Sequence, residues 1–137
     1  MTVLSSDKSG NMIGDLARFD LVGEIADSEQ KKPWQHGLYA KTLFKKDDFR
    51  AVLITMEGAA KMKEHHADGT VSVQVLKGRI RVGAEGQIYD LPAGNLLTLG
   101  ASIKHEVESL EDSAFLLTIS WSSNQELLAM EHRGYGT

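Results

Sequence analysis

No cysteine occurs among the 137 residues, which excludes disulfides, thiolate metal sites and cysteine nucleophiles. Proline is nearly as scarce, two residues against thirteen glycines, so tight turns are expected rather than proline-rich linkers. No apolar run approaches the roughly 20 residues of a membrane span, and Met1 to Gly10 lacks the apolar core of a secretory leader. A cytoplasmic location without a membrane partner is therefore expected. The chain also lacks a basic face. Its net charge is −4, and Lys45-Lys46 is followed at once by Asp47-Asp48, which argues against a nucleic-acid partner. Neither a phosphate-cradling Gly-x-x-x-x-Gly-Lys loop nor a Gly-x-Ser-x-Gly nucleophile elbow is found.

What is present is an ordinary globular composition, 42% apolar and 25% charged, of a length that suits one domain. From Gly37 to Trp121 the apolar residues recur with a period near two, interrupted by turn signals every eight to twelve residues, the pattern of an all-β sandwich or barrel. Leu38 to Phe44 and Phe49 to Met56 read as strands joined by Lys45 to Asp48. Asp68-Gly69 carries a hairpin signal, since both residues tolerate the positive φ of a type I′ turn. Val71, Val73 and Val75 then alternate with Ser72 and Gln74. Ile80 and Val82 lead to the turn Gly83 to Gly86, and Gln87 to Leu91 and Leu96 to Leu99 flank Pro92-Ala93-Gly94. Ile103, His105 and Val107 share one strand parity, and Phe115 to Trp121 closes the series. About eight strands result, enough for a single antiparallel barrel. Asp20 to Gln30 and Asn124 to Glu131 have helical spacing. The organisation expected is a flexible lead-in over 1–13, a flanking segment over 14–36, the barrel over 37–121 and a tail over 122–137 with a short helix.

The histidines carry the chemistry. His105 lies between Ile103 and Val107 on one strand face and so points where apolar neighbours point. A lone histidine there is more often a hydrogen-bonded core residue than a ligand. His65 and His66, just before the Asp68-Gly69 turn at the mouth of the barrel, shift that balance, because neutral imidazoles converging from neighbouring strands can hold a divalent metal. Alternation counted from Met62 places His66 inside and His65 outside, and a bend or bulge would reverse the order. His36 and His132 read as surface residues, and Trp34 and Trp121 as core aromatics. Glu106 and Glu108 read as a solvated face, and Gln74 has the wrong parity to point inward.

Gly58 to Ser109 resembles the two-motif core of the cupin superfamily, and the likeness extends from Gly37 to Trp121. His65 falls on the first histidine of the first motif, and Val75-Leu76-Lys77-Gly78 resembles its ending. Gly94 and His105 match the second motif at the right spacing. Ala67 stands where the motif has its second histidine and Val71 where it has glutamate. Gly100 and Ser102 replace a proline and a glycine, and Ser109 replaces an asparagine. The resemblance implies a jelly-roll-like barrel and a divalent metal ion (zinc, iron, manganese or nickel) on His65, His66 and His105. It also implies a small-molecule ligand in the barrel and a homodimer, with Leu21, Val22 and Ile25, or Leu127, Leu128 and Met130, lying across the partner. The expected function is binding of a small molecule in the interior, with Val73, Val75, Leu97 and Phe115 shaping the pocket. The alternative is a metal-dependent oxygenase, isomerase or lyase.

Overall fold

A computed structural model describes residues 16–121. After the helix α1 (Leu21–Glu29) come nine strands: β1 (Leu38–Lys45), β2 (Phe49–Met56), β3 (Lys61–His65), β4 (Thr70–Lys77), β5 (Arg79–Ala84), β6 (Gln87–Pro92), β7 (Leu96–Leu99), β8 (His105–Ser109) and β9 (Ser113–Ser120). The strand beyond the eight expected is β3, whose sequence Lys-Met-Lys-Glu-His has only one apolar side chain to announce an inner face. The predicted helix over Asn124 to Glu131 lies outside the described residues, as does His132.

All pairings are antiparallel. They form a five-stranded sheet in the order β1-β2-β9-β4-β7 and a four-stranded sheet in the order β3-β8-β5-β6. The expected single barrel is therefore corrected to two sheets that are not closed into one. The reason lies in the short connections Lys77-Gly78-Arg79, Pro92 to Leu96 and Ser109 to Ser113, each of which carries the chain from one sheet to the other instead of extending a single sheet by one more hairpin. Side chains of alternate parity from both inner faces make the core. Ile54, Met56, Val71, Val73, Val75, Leu99 and Phe115 come from the larger sheet, and Ile80, Val82, Ala84, Leu91 and Val107 from the smaller. The alternation read from Val71 to Val75 is reproduced: those three valines are buried and Gln74 is exposed.

The larger sheet is also covered on its outer face at β1 and β2. Leu53 and Thr55, which have the opposite parity to Ile54 and Met56, are only 2% and 3% exposed. The helix α1 lies on that side, where Glu24 receives a 2.6 Å ion pair from Lys41, the register partner of Leu53.

Two turns differ from the sequence reading. Asp68-Gly69 is not a type I′ hairpin, since neither residue has positive φ and the strands it joins, β3 and β4, belong to different sheets. Glycine is required there by close approach: a Cβ at Gly69 would stand 2.5 Å from the Ser120 carbonyl oxygen and 2.9 Å from the Trp121 ring. The pair of positive φ values that a type I′ turn needs is found instead at Glu85 and Gly86, +51° and +76°, which join β5 to β6.

Candidate functional site

Strand register decides which side chains meet at each end of the sandwich. One end gathers the end of β2, the start of β9, the end of β4 and the start of β5. It is stitched by Ser113, whose hydroxyl donates to the Glu111 carbonyl at 2.7 Å and accepts from the Arg79 backbone N–H at 3.0 Å. The other end gathers the last residue of β3, the first of β8 and the last of β5. There His65 pairs with His105, and His105 pairs with Ala84.

His105 points inward as its parity requires. It is 3% exposed, between the buried Ala84 and Val107. His65 joins it because β3 is irregular: Met62 pairs with Val107 but His65 with His105, three residues on one strand against two on the other. That extra residue is a β-bulge, which turns the strand over by one position. Simple alternation from Met62 would have sent His66 inward, and the bulge reverses it. His65 is half-buried, whereas His66 lies beyond the strand end and is exposed.

The two imidazole rings stand edge to face, centroids 4.2 Å apart at 63°. Each is fixed in the same way. Nδ1 of His65 bonds the Lys63 carbonyl at 2.8 Å, and Nδ1 of His105 bonds the Ile103 carbonyl at 3.0 Å. A carbonyl oxygen only accepts, so in each ring the proton sits on Nδ1 and donates. Nε2 of a neutral ring is then a lone-pair acceptor, the arrangement in which histidine serves as a ligand. Burial pushes the His105 pKa down from about 6.5, aided by the nearby His65 and His66 and opposed by the bond to the Ile103 carbonyl. The neutral ring is thus favoured.

The donor set falls short of a complete metal site. Among the described residues no group of three or more histidine, aspartate or glutamate side chains is gathered around a point that could hold a metal ion. Catalytic zinc and non-haem iron ordinarily have three protein ligands. Glu64 is exposed on the bulged segment and Gln74 faces away from the interior. His65 and His105 are brought together, His66 is not, and His36 is exposed as expected.

Comparison with known proteins places this geometry. No family model and no curated protein match the chain. Solved structures do. A conserved protein of unknown function from Streptococcus pyogenes has a TM-score of 0.66 at 17% identity, over 90% of this chain and 97% of that one. A cupin superfamily protein from Desulfitobacterium hafniense gives 0.62 at 15% identity, over 66% and 84%. An RmlC-like cupin from Shewanella frigidimarina gives 0.60 at 21% identity, over 67% and 83%. The chain has the cupin fold. Within this cupin fold, the end of β3 and the start of β8 hold the histidine pair, and the start of β2 holds a cation, Arg50. Arg50 was not singled out from the sequence, although its parity with Val52, Ile54 and Met56 was visible. Its register partner Ile119 and the neighbouring Trp121 lie at the same end of the sandwich. Trp121, expected in the core, is only half-buried. Its indole N–H donates to Asp68 Oδ1 at 2.6 Å, and its ring lies under the Arg50 guanidinium at 5.3 Å.

Proposed function

We propose that this cupin-fold domain binds a small polar molecule at the histidine end of the sandwich, through the Nε2 atoms of His65 and His105. The observation that carries this reading is the paired Nδ1-to-carbonyl bonding, which fixes both tautomers and leaves two acceptors with no protein partner among the described residues. Val73, Val75 and Phe115 belong to the buried apolar core of the same sandwich, and an apolar interior with a few placed polar groups is what small-molecule pockets use. A ligand offering a hydroxyl, an amide N–H or a protonated acid would donate to these atoms, and a neutral His105 is suited to accept.

The second reading, a divalent metal on His65 and His105 with His66 as a third ligand, draws support from the same tautomers. It requires the exposed His66 to swing inward. A metal-dependent enzyme would rest on that second reading. Elemental analysis of the full chain after mild chelation separates the two. The binding reading expects substoichiometric metal, together with 15N shifts at both Nε2 atoms when small alcohols, amides and acids are screened at neutral pH. Stoichiometric metal that disappears in the His65→Ala, His105→Ala double variant would replace it with the metal reading. Screening shifts confined to other histidines would remove the histidine pair from the function altogether.

A further inference from the structure

A second feature at the same end of the sandwich is independent of the histidines. Lys45, Lys46, Asp47, Arg50 and Trp121 line a surface cavity, widely open to solvent, at the β1–β2 turn. Lys45 and Arg50 stand there beside the Asp47 carboxylate, while Lys46 is engaged in an interaction of its own. The turn itself is held by backbone bonds, from the Lys46 N–H to the Phe49 carbonyl at 2.8 Å and from the Trp121 N–H to the Asp48 carbonyl at 2.9 Å. The lining is therefore set by the fold rather than by free loops.

Arg50 is the informative member. It begins the inward-facing row Arg50, Val52, Ile54 and Met56, of which the last two are core residues, so its stem runs along apolar surface and its head reaches the cavity. The guanidinium carbon of Arg50 lies over the Trp121 ring, 5.3 Å from its centroid. A cation–π contact is not a hydrogen bond and does not by itself satisfy the guanidinium N–H donors. The Arg50 Nε is buried with no hydrogen-bond partner among the described residues. A buried donor on a charged group is costly to leave unmade. The edge formed by Nε–H and one Nη–H is the fork that a carboxylate or phosphate accepts side-on. Trp121 is held in turn by Asp68, whose Oδ1 accepts from the indole N–H.

We propose that this cavity is an oxyanion-binding site, in which the Arg50 edge and the Lys45 ammonium take a carboxylate or phosphate group. Occupation turns the guanidinium edge towards the cavity and so changes its stacking on Trp121. That makes Trp121 the reporter. The chain has two tryptophans, and Trp34→Phe leaves Trp121 as the sole indole.

The experiment titrates the full-length Trp34→Phe protein at low ionic strength with inorganic phosphate, with acetate, and with chloride as the control for screening. The expected result is a saturable fluorescence change with phosphate or acetate that chloride does not produce. The more effective anion identifies the group the site takes. Arg50→Lys keeps the charge and stem but loses the fork, and should weaken binding by about tenfold or more, the worth of a charge-assisted hydrogen bond. Lys45→Gln, on the exposed rim, should weaken it less and serves if Arg50→Lys fails to fold. No saturable change beyond that of chloride would overturn the proposal. So would binding that neither substitution alters. Because His65 and His105 take no part, a failure here leaves the histidine reading standing, and the converse holds.

Discussion

Acidification should cost this protein stability through one ring. His105 is 3% exposed, and burial lowers its pKa below the ordinary value of about 6.5. The unfolded chain therefore binds a proton before the folded one does as the pH falls. The sign follows directly. Stability from the buried neutral ring is complete above about pH 6.5, is lost as the pH drops through the interval down to the folded value, and is gone below it. Within that interval the slope approaches the limit for one proton, about 1.4 kcal/mol per pH unit. The assay is urea unfolding at half-unit steps from pH 8 to pH 5, on the native sequence and on His105→Gln. At pH 8 the variant should be less stable by ~1–3 kcal/mol, because the Ile103 carbonyl and the ring's neighbours lose a partner. On acidification the native curve should fall towards the flatter variant curve. Two parallel curves across the whole range would show that His105 does not titrate differently in the two states, and would refute the buried neutral ring.

Two further outcomes are expected. Gly78 and Gly86 both have positive φ, +78° and +76°, but a Cβ at Gly78 would overlap the Asp112 carbonyl oxygen and Ser113 Oγ, whereas one at Gly86 meets nothing within 4 Å. Gly86→Ala should therefore cost only the left-handed strain, ~1–2 kcal/mol, and Gly78→Ala a further ~1–3 kcal/mol of overpacking, read as the difference in urea midpoints; equal losses would contradict the close approach. We also propose that the chain pairs, since Leu16 and Val22 are 59% and 79% exposed on the flanking segment. Light scattering should then give twice the 15.0 kDa chain mass, with Val22→Glu shifting the balance to monomer, and a single-chain mass at micromolar concentration would reject it.

Most of the fold was legible because a strand writes its burial locally. Val71, Val73 and Val75, or Ile80 and Val82, declare an inner face within five residues, and the structure buries each of them. Closure was not legible in the same way. Whether consecutive strands extend one sheet or cross to another depends on connections such as Lys77-Gly78-Arg79, and a glycine there has the same letter whether it turns a hairpin or changes sheet. The Asp68-Gly69 signal shows the difficulty plainly. Its composition suits a type I′ turn, yet the glycine answers to the approach of Ser120 and Trp121, some fifty residues further along the chain, and no local pattern contains that information.

The candidate site divides along the same line. His105 could be placed from its own strand, because β8 keeps strict alternation from His105 to Ser109. His65 could not, because its direction is set by a bulge whose only evidence is the pairing of Met62 with Val107 and of His65 with His105. The bulge occurs where β3 has least to lose. Lys63 and Glu64 are both exposed, so neither parity buries a charge and the strand is free to follow its partner. Polar residues at a strand end thus leave register weakly specified by sequence and let the neighbouring strand decide it. Arg50 is the reverse case, a charge at an inward position that the alternation did mark. A cation in an apolar row either finds an internal partner or faces a ligand, and among the described residues Arg50 lies over the face of an indole ring without a partner for its buried Nε. The weakly specified end of the smaller sheet and the inward charge of the larger one thus lie at the same end of the sandwich, one hidden from a local reading by a bulge and the other marked by strict alternation.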